Sequence, residues 1–162
     1  MRTSVVFVVG LLLGATIATG FAQGTPRLPG DNYMNHVSIV VEDMNAALAF
    51  YTQKMGFPEA FVIRDDKGQP TLAYLHVSRN TFIELNPANA NRRPGLNHFG
   101  LHVQDLKAVQ ARLKAQGVTI EDVRVRPDDS SVANATDPSG IRIELFQFGP
   151  GSAQGKAIAA YK

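Results

Sequence analysis

An α+β fold made of two paired βαβββ modules is predicted by three observations. A nine-residue pattern occurs twice, the segments after it alternate apolar and polar residues, and each copy contains one apolar stripe at helical spacing. The first copy of the pattern is Asn35-His36-Val37-Ser38-Ile39-Val40-Val41-Glu42-Asp43, and Ile83-Glu84-Leu85 follows later. The second is Asn97-His98-Phe99-Gly100-Leu101-His102-Val103-Gln104-Asp105, followed by Ile143-Glu144-Leu145. Each Asp lies seven residues after its His, and the His-to-Glu separations are 48 and 46 residues. One duplicated unit, barely disturbed by insertions, explains all of this.

The elements then follow in order. Residues 33 to 41 alternate and are rich in β-branched side chains, so they read as a strand. Asp43 is placed to cap a helix whose apolar stripe is Met44, Ala47, Leu48, Phe50, Tyr51 and Met55, stopped by Gly56. Residues 59 to 64, 71 to 78 and 81 to 86 read as three strands, with turns at Asp65-Asp66-Lys67-Gly68 and Arg79-Asn80. The second module repeats the order: a strand over 95 to 103, a helix over 105 to 116 stopped by Gly117, and strands over 118 to 126, 131 to 136 and 141 to 148. Module one is thus expected over 33 to 86 and module two over 95 to 148. The tail from 149 to 162, with Pro150 and three glycines, reads as loose or weakly helical.

The N-terminus has a different character. Arg2 precedes an apolar run from Val5 to Leu13, and small residues stand at Gly20 and Ala22. This is the pattern of a secretory signal over residues 1 to 22, with 23 to 32 as a linker. Gly10, Gly14, Thr16 and Thr19 weaken the same run as a permanent membrane helix. The expected mature protein is therefore secreted or periplasmic, without stable membrane insertion. The absence of cysteine excludes a disulfide framework. Of the 16 basic side chains only Arg2 leaves with the signal, so 15 remain against 14 acidic ones, a balance that argues against nucleic-acid binding.

Duplication puts two His and two Glu at equivalent positions, and pairing of the modules would bring them together. Two imidazoles and two carboxylates suit a divalent metal such as Zn, Ni, Mn, Co or Fe. The flanking residues strengthen this: Glu84 lies between two aliphatics, as does Glu144, so each carboxylate faces away from them. A desolvated carboxylate there requires a cation. His102 lies four residues after His98 and points to the same strand face. Its first-module counterpart is Val40, so symmetry leaves it out of the metal set and makes it a candidate for substrate binding. His76 reads as structural or exposed. Arg92 and Arg93, between the modules, read as a solvated pair with a minor prospect of guiding an anionic substrate.

The His-Val-x-Ile-x-Val-x-Asp opening, the Phe50-Tyr51-x-x-x-Met55-Gly56-Phe57 helix end and the Asp137-Pro138-x-Gly140-x-x-Ile143-Glu144-Leu145 close occur together and in order. In this the chain resembles the vicinal oxygen chelate (VOC) superfamily, the glyoxalase, epimerase, bleomycin-resistance and extradiol dioxygenase group, over roughly residues 33 to 148. The resemblance implies curved sheets closing a cup around one metal held by His36, Glu84, His98 and Glu144. It also implies a small-molecule substrate and a homodimer, and leaves open whether the site forms within one chain or across two.

The implied chemistry is metal stabilisation of an enolate, with Glu84 or Glu144 removing a proton beside a carbonyl. Glu at both carboxylate positions is closer to glyoxalase I, a lactoylglutathione lyase, than to the methylmalonyl-CoA epimerases, which commonly carry one Gln. One departure stands out: Val40 replaces an Arg that helps bacterial glyoxalase I hold glutathione. The expectation is an exported, glyoxalase-like lyase or isomerase acting on a small oxo or hydroxy compound. The alternatives are an extradiol dioxygenase and a non-catalytic binding module.

Overall fold

The computed structural model describes residues 28 to 162, so the expected signal segment and the first part of the linker lie outside the described residues. Strands β1 (Tyr33–Val41), β2 (Glu59–Arg64), β3 (Pro70–Ser78) and β4 (Thr81–Pro87) belong to the first module, with helix α1 (Met44–Ala49) between β1 and β2. Strands β5 (Gly95–His102), β6 (Arg124–Val125), β7 (Ser131–Thr136) and β8 (Arg142–Gln147) belong to the second, with α2 (Leu106–Ala115) after β5. A last helix, α3 (Ala153–Ala160), follows. Among the described residues no helix is long and apolar enough to cross a membrane.

All eight strands form one sheet in the order β2-β3-β4-β1-β5-β8-β7-β6. Each module repeats the same pairing: its first strand runs parallel to its last, β1 with β4 and β5 with β8. The modules meet where β1 and β5 pair antiparallel, with His36 opposite Gly100 and Ser38 opposite His98. That exchange of equivalent positions is the mark of a pseudo-twofold axis between the two strands.

Strand alternation assigns the two faces of the sheet. On the outer face, Ala73, Leu75 and Leu85 pack with Met44 of α1, while Val103, Ala133 and Leu145 pack with Leu106 and Val109 of α2. Fully burying such a leucine contributes roughly 1.5–3 kcal/mol, so helix docking fixes which face each strand turns outward. Residues of opposite parity, including His36, Glu84, His98 and Glu144, are left on the inner face.

Local signals place the helices. Asp43 Oδ1 accepts from the amides of Asn45 and Ala46 at 2.8 and 3.0 Å, and Asp105 Oδ1 from Ala108 at 2.9 Å. Gly56 and Gly117 end the helical segments at φ 75° and 77°, a conformation glycine adopts without penalty. The first helical segment changes character midway, since Phe50–Lys54 form a π-type turn. Thr52 Oγ1 donates to the Leu48 carbonyl at 2.7 Å, which competes for the acceptor and favours widening.

Two expected elements differ from those observed. The strand anticipated over 118 to 126 shrinks to Arg124–Val125 with an isolated bridge between Ile120 and Ala135. Its backbone is engaged from the side: Gln110 of α2 donates to the Glu121 carbonyl at 2.6 Å, removing that acceptor from any ladder. The C-terminal segment is an ordered, docked helix. Ser152 Oγ caps it by accepting from Gly155 at 2.9 Å, and Ser152 and Gln154 are both buried. Tyr161 then packs on His76, ring centroids 4.7 Å apart.

Candidate metal centre

The inner face brings His36 of β1, Glu84 of β4 and His98 of β5 together within one chain. One donor atom from each lies within 4.8 Å of the others. His36 Nε2 is 3.0 Å from His98 Nε2 and 3.3 Å from Glu84 Oε2, and His98 Nε2 is 3.4 Å from the same oxygen. Donors that share one ion at bond lengths of about 2.0–2.2 Å stand roughly 3 to 3.5 Å apart, so these separations suit a common cation.

Tautomer chemistry makes the same point. Asn35 Oδ1 lies 2.9 Å from His36 Nδ1, and Asn97 Oδ1 lies 2.8 Å from His98 Nδ1. An amide oxygen only accepts, so His36 Nδ1 carries the proton and its Nε2 presents a bare lone pair. At His98 the Arg142 guanidinium, which only donates, also reaches Nδ1 and Asn97 Oδ1, so an acceptor and a donor compete for that nitrogen. Asn35 is held in that orientation because its Nδ2 donates to the Asn80 carbonyl at 3.4 Å. Burial lowers the pKa of both imidazoles to about 4, with the Arg126 and Arg142 guanidiniums adding to the fall. Glu84 partly opposes this at His98. Two imidazoles kept neutral by burial therefore turn their Nε2 atoms toward one another and toward Glu84 Oε2, a buried oxygen with no hydrogen-bond partner. A cation among them would give the orphaned Glu84 oxygen the partner it lacks, and the residues present fit one.

Glu144 occupies the matching place on β8 but stands apart. Its Oε1 is 3.9 Å from His36 Nε2, and its Oε2 pairs with Arg126 Nη2 at 3.5 Å. Burial raises its pKa, opposed by Arg126 and reinforced by Glu84. The two carboxylates are equivalent by repeat and unequal by surroundings: Glu84 belongs to the tight group, and Glu144 borders it.

A site of this shape requires Gly100. An added Cβ there would overlap the His36 ring, whose side chain is completely buried. On the other side of the pseudo-axis Ser38 faces His98 and keeps its hydroxyl, which accepts from Asn86 Nδ2 at 3.2 Å.

A cavity of about 470 Å3 opens beside the group. Its lining includes Glu84, Phe61, Tyr74, Arg126 and Gln154. Tyr74 pairs with Glu84 across the β3–β4 ladder, stacks on Phe61 at 4.8 Å and meets the His36 ring edge-on at 5.6 Å. Its phenol pKa is held well above the ordinary value by burial and by the two nearby carboxylates, while a Gln154 hydrogen bond acts in the opposite sense. Sequence reasoning missed Tyr74, Arg126 and Gln154, none of which belongs to the duplicated motif. The doubled Asn-His was visible, but its use as an imidazole clamp was not.

His102 shares the inner face with His98 but is four residues farther along, where Tyr33 and Phe148 flank its ring at 4.8 and 4.3 Å. Its Nδ1 is buried without a hydrogen-bond partner, and burial lowers its pKa. His76 sits between Phe82 and Tyr161 with Nδ1 3.2 Å from the Ser78 carbonyl, a structural position. Arg92 donates to Asn86 Oδ1 at 3.2 Å, while Arg93 is exposed.

Comparison with known proteins agrees with the architecture. The family described as Glyoxalase/Bleomycin resistance protein/Dioxygenase superfamily matches residues 33–145. A probable lactoylglutathione lyase of Vibrio cholerae is 31% identical over 121 residues, which is 69% of this chain and 88% of that protein. A catechol-2,3-dioxygenase of Bacillus subtilis is 29% identical over 132 residues, covering 75% of this chain and 44% of the longer relative. Among solved structures, methylmalonyl-CoA epimerase from Mycobacterium tuberculosis superimposes with a TM-score of 0.62 at 27% identity, covering 82% of this chain and 96% of that one. The family match spans both βαβββ modules and all four inner-face His and Glu positions, and this chain belongs to the Glyoxalase/Bleomycin resistance protein/Dioxygenase superfamily.

Proposed function

We propose that this chain is an exported, metal-dependent enzyme of the family, a glyoxalase-like lyase or isomerase that moves a proton at a carbon next to an oxygen pair of a small oxo or hydroxy substrate. The observation that carries this reading is the unequal pair of carboxylates, Glu84 inside a group of lone-pair donors and Glu144 at its border. His36, Glu84 and His98 would hold the ion, with Glu144 within reach of the same space. A divalent cation supplies Lewis-acid stabilisation of negative charge on substrate oxygen.

The remaining work falls to side chains. Glu144 is the better proton carrier, because burial moves its pKa toward neutrality while Arg126 keeps the carboxylate charged and oriented. Asn35 keeps the His36 imidazole in the tautomer with Nε2 free, and Asn97 and Arg142 together hold the His98 ring. Tyr74 and Phe61 present an apolar wall that excludes water from the carbon acid. The lactoylglutathione lyase relative and the epimerase neighbour support this class of reaction. Export rests on Arg2 and the apolar run ending at Ala22. N-terminal sequencing of protein from the native host should begin near Gln23.

The test is metal analysis of protein purified without chelator, followed by substrate panels in deuterated water. Metal-dependent uptake of solvent deuterium at the carbon beside the carbonyl is expected. Metal-loaded protein that exchanges no carbon-bound hydrogen across hemithioacetals, 2-oxo acids and 2-hydroxy acids would refute the assignment. A second reading is favoured by one observation: the tight group holds two His and one carboxylate, the set used by extradiol dioxygenases. Ferrous-dependent oxygen uptake with catechols would select it.

A further inference from the structure

We propose that Arg126 is a carboxylate anchor, so that the substrate carries a carboxylate in addition to the oxygen pair directed at the metal group. This inference rests on the metal-site reading above and narrows its substrate class. Arg126 follows the short edge strand β6, and its side chain is 41% exposed, lining the cavity that Glu84 also lines. Its guanidinium lies over the Phe146 ring at 5.3 Å, which fixes its plane and leaves hydrogen-bonding edges free. The ion pair it makes with Glu144 is long, 3.5 Å through one nitrogen, where a good bidentate pair has two contacts near 2.8 Å. Five N–H donors thus have only one weak protein acceptor among the described contacts.

Charge balance gives the same answer. A divalent ion would neutralise Glu84 and Glu144 and the imidazoles are uncharged; of the two guanidiniums left over, Arg142 is held against Asn97 and His98, and Arg126 is the positive charge that lines the cavity. An anionic group on the substrate balances it. Glu144 contacts both Arg126 and His36, so the anchor is one carboxyl group away from the metal group. A small molecule therefore reaches both, in a cavity that Gln154 and Tyr74 help to line. The Arg64 side chain, at the end of the matching strand β2, instead donates to the Gly68 carbonyl and is exposed. The anchor belongs to one module only, which orients the substrate in an otherwise pseudo-symmetric cup.

The experiment is titration calorimetry of the zinc-loaded full chain with hydroxymalonate and with glycolate, which share a hydroxyl-carboxylate chelating pair and differ by one carboxylate. Zinc content is measured on the same samples. The native protein should bind hydroxymalonate at least about 10-fold more tightly than glycolate, in line with the strength of charge-assisted guanidinium contacts. Arg126→Gln should bring that ratio near unity at unchanged zinc content, and Arg126→Lys should restore part of it. Zinc uptake with a ratio near unity in the native protein, or a ratio that survives in Arg126→Gln, overturns the anchor and leaves the metal reading intact. Failure to take up zinc, with an Arg126-dependent preference for hydroxymalonate retained, sinks the metal reading and upholds the anchor.

Discussion

Replacing Gly100 with alanine should disable the metal group without touching a ligand. The added methyl falls on the His36 ring, against Cε1, Nδ1 and Nε2 together. Neither partner has room to move: His36 is fully buried, its Nδ1 is tied to Asn35 at 2.9 Å, and Tyr74 meets the ring edge-on at 5.6 Å. Gly100 is fixed in turn by pairing on both sides, to His36 of β1 and Glu144 of β8. Overpacking at such a site costs about 1–3 kcal/mol, and relief requires the imidazole to turn out of the plane in which Nε2 faces Glu84. We expect a lower urea midpoint, by the amount that energy implies, and zinc affinity reduced at least as much as by loss of an orienting partner, about 10- to 100-fold. Denaturant titration and competition with a chromophoric chelator measure the two effects. Serine at the same position, which mimics Ser38 across the pseudo-axis, should do no better. An alanine variant with native midpoint and native zinc affinity would refute the account of His36 as a sterically locked ligand.

Three further predictions follow from the same geometry. Asn35→Ala should weaken zinc by about 10- to 100-fold, because the His36 imidazole loses the acceptor that fixes its tautomer; affinity equal to that of the native chain would show that the clamp is idle. His98→Ala should strip the metal and abolish turnover together, whereas His102→Ala, removed from the group and held between Tyr33 and Phe148, should keep the metal and alter only substrate binding or rate. Metal analysis beside kinetics decides this, and loss of metal in both variants would make His102 a ligand. The metal-free protein should lose stability on acidification: burial lowers the folded-state pKa of His36 to about 4, so between the unfolded value near 6.5 and pH 4 the unfolded chain binds a proton that the folded chain refuses. The loss from His36 is roughly 2 kcal/mol between pH 7 and pH 5, read as a falling urea midpoint that bound zinc suppresses; a midpoint flat over that range contradicts it.

Much of the site was legible because duplication writes it twice. His36 and His98, Glu84 and Glu144 are recoverable from spacing alone, and alternation against Ile83, Leu85, Ile143 and Leu145 assigns their face. Spacing could not separate the two glutamates, whose difference comes from Arg126, a residue outside the repeated motif. Nor could it find Tyr74 and Gln154, 80 residues apart in a chain whose last helix has little amphipathic pattern to announce that it docks. The edge strand β6 misled for a related reason: its apolar alternation is real, but a glutamine from α2 takes the carbonyl that a ladder would use. Repetition does not say which strands of the two modules meet, and the β1–β5 pairing brings His36, Glu84 and His98 together within one chain.

That antiparallel seam has a consequence for assembly. Each half of the chain owns one imidazole and one carboxylate, so neither half alone offers more than two donors, and tight ion affinity comes into being only when β1 and β5 register. Whatever free energy the ion contributes is therefore delivered to the join between halves, about 1.4 kcal/mol for every tenfold excess of ion over its dissociation constant. Bound there, an ion would act as a clasp on a duplicated protein. Its departure should loosen the contact between two units that each retain a hydrophobic core of their own, before either core comes apart.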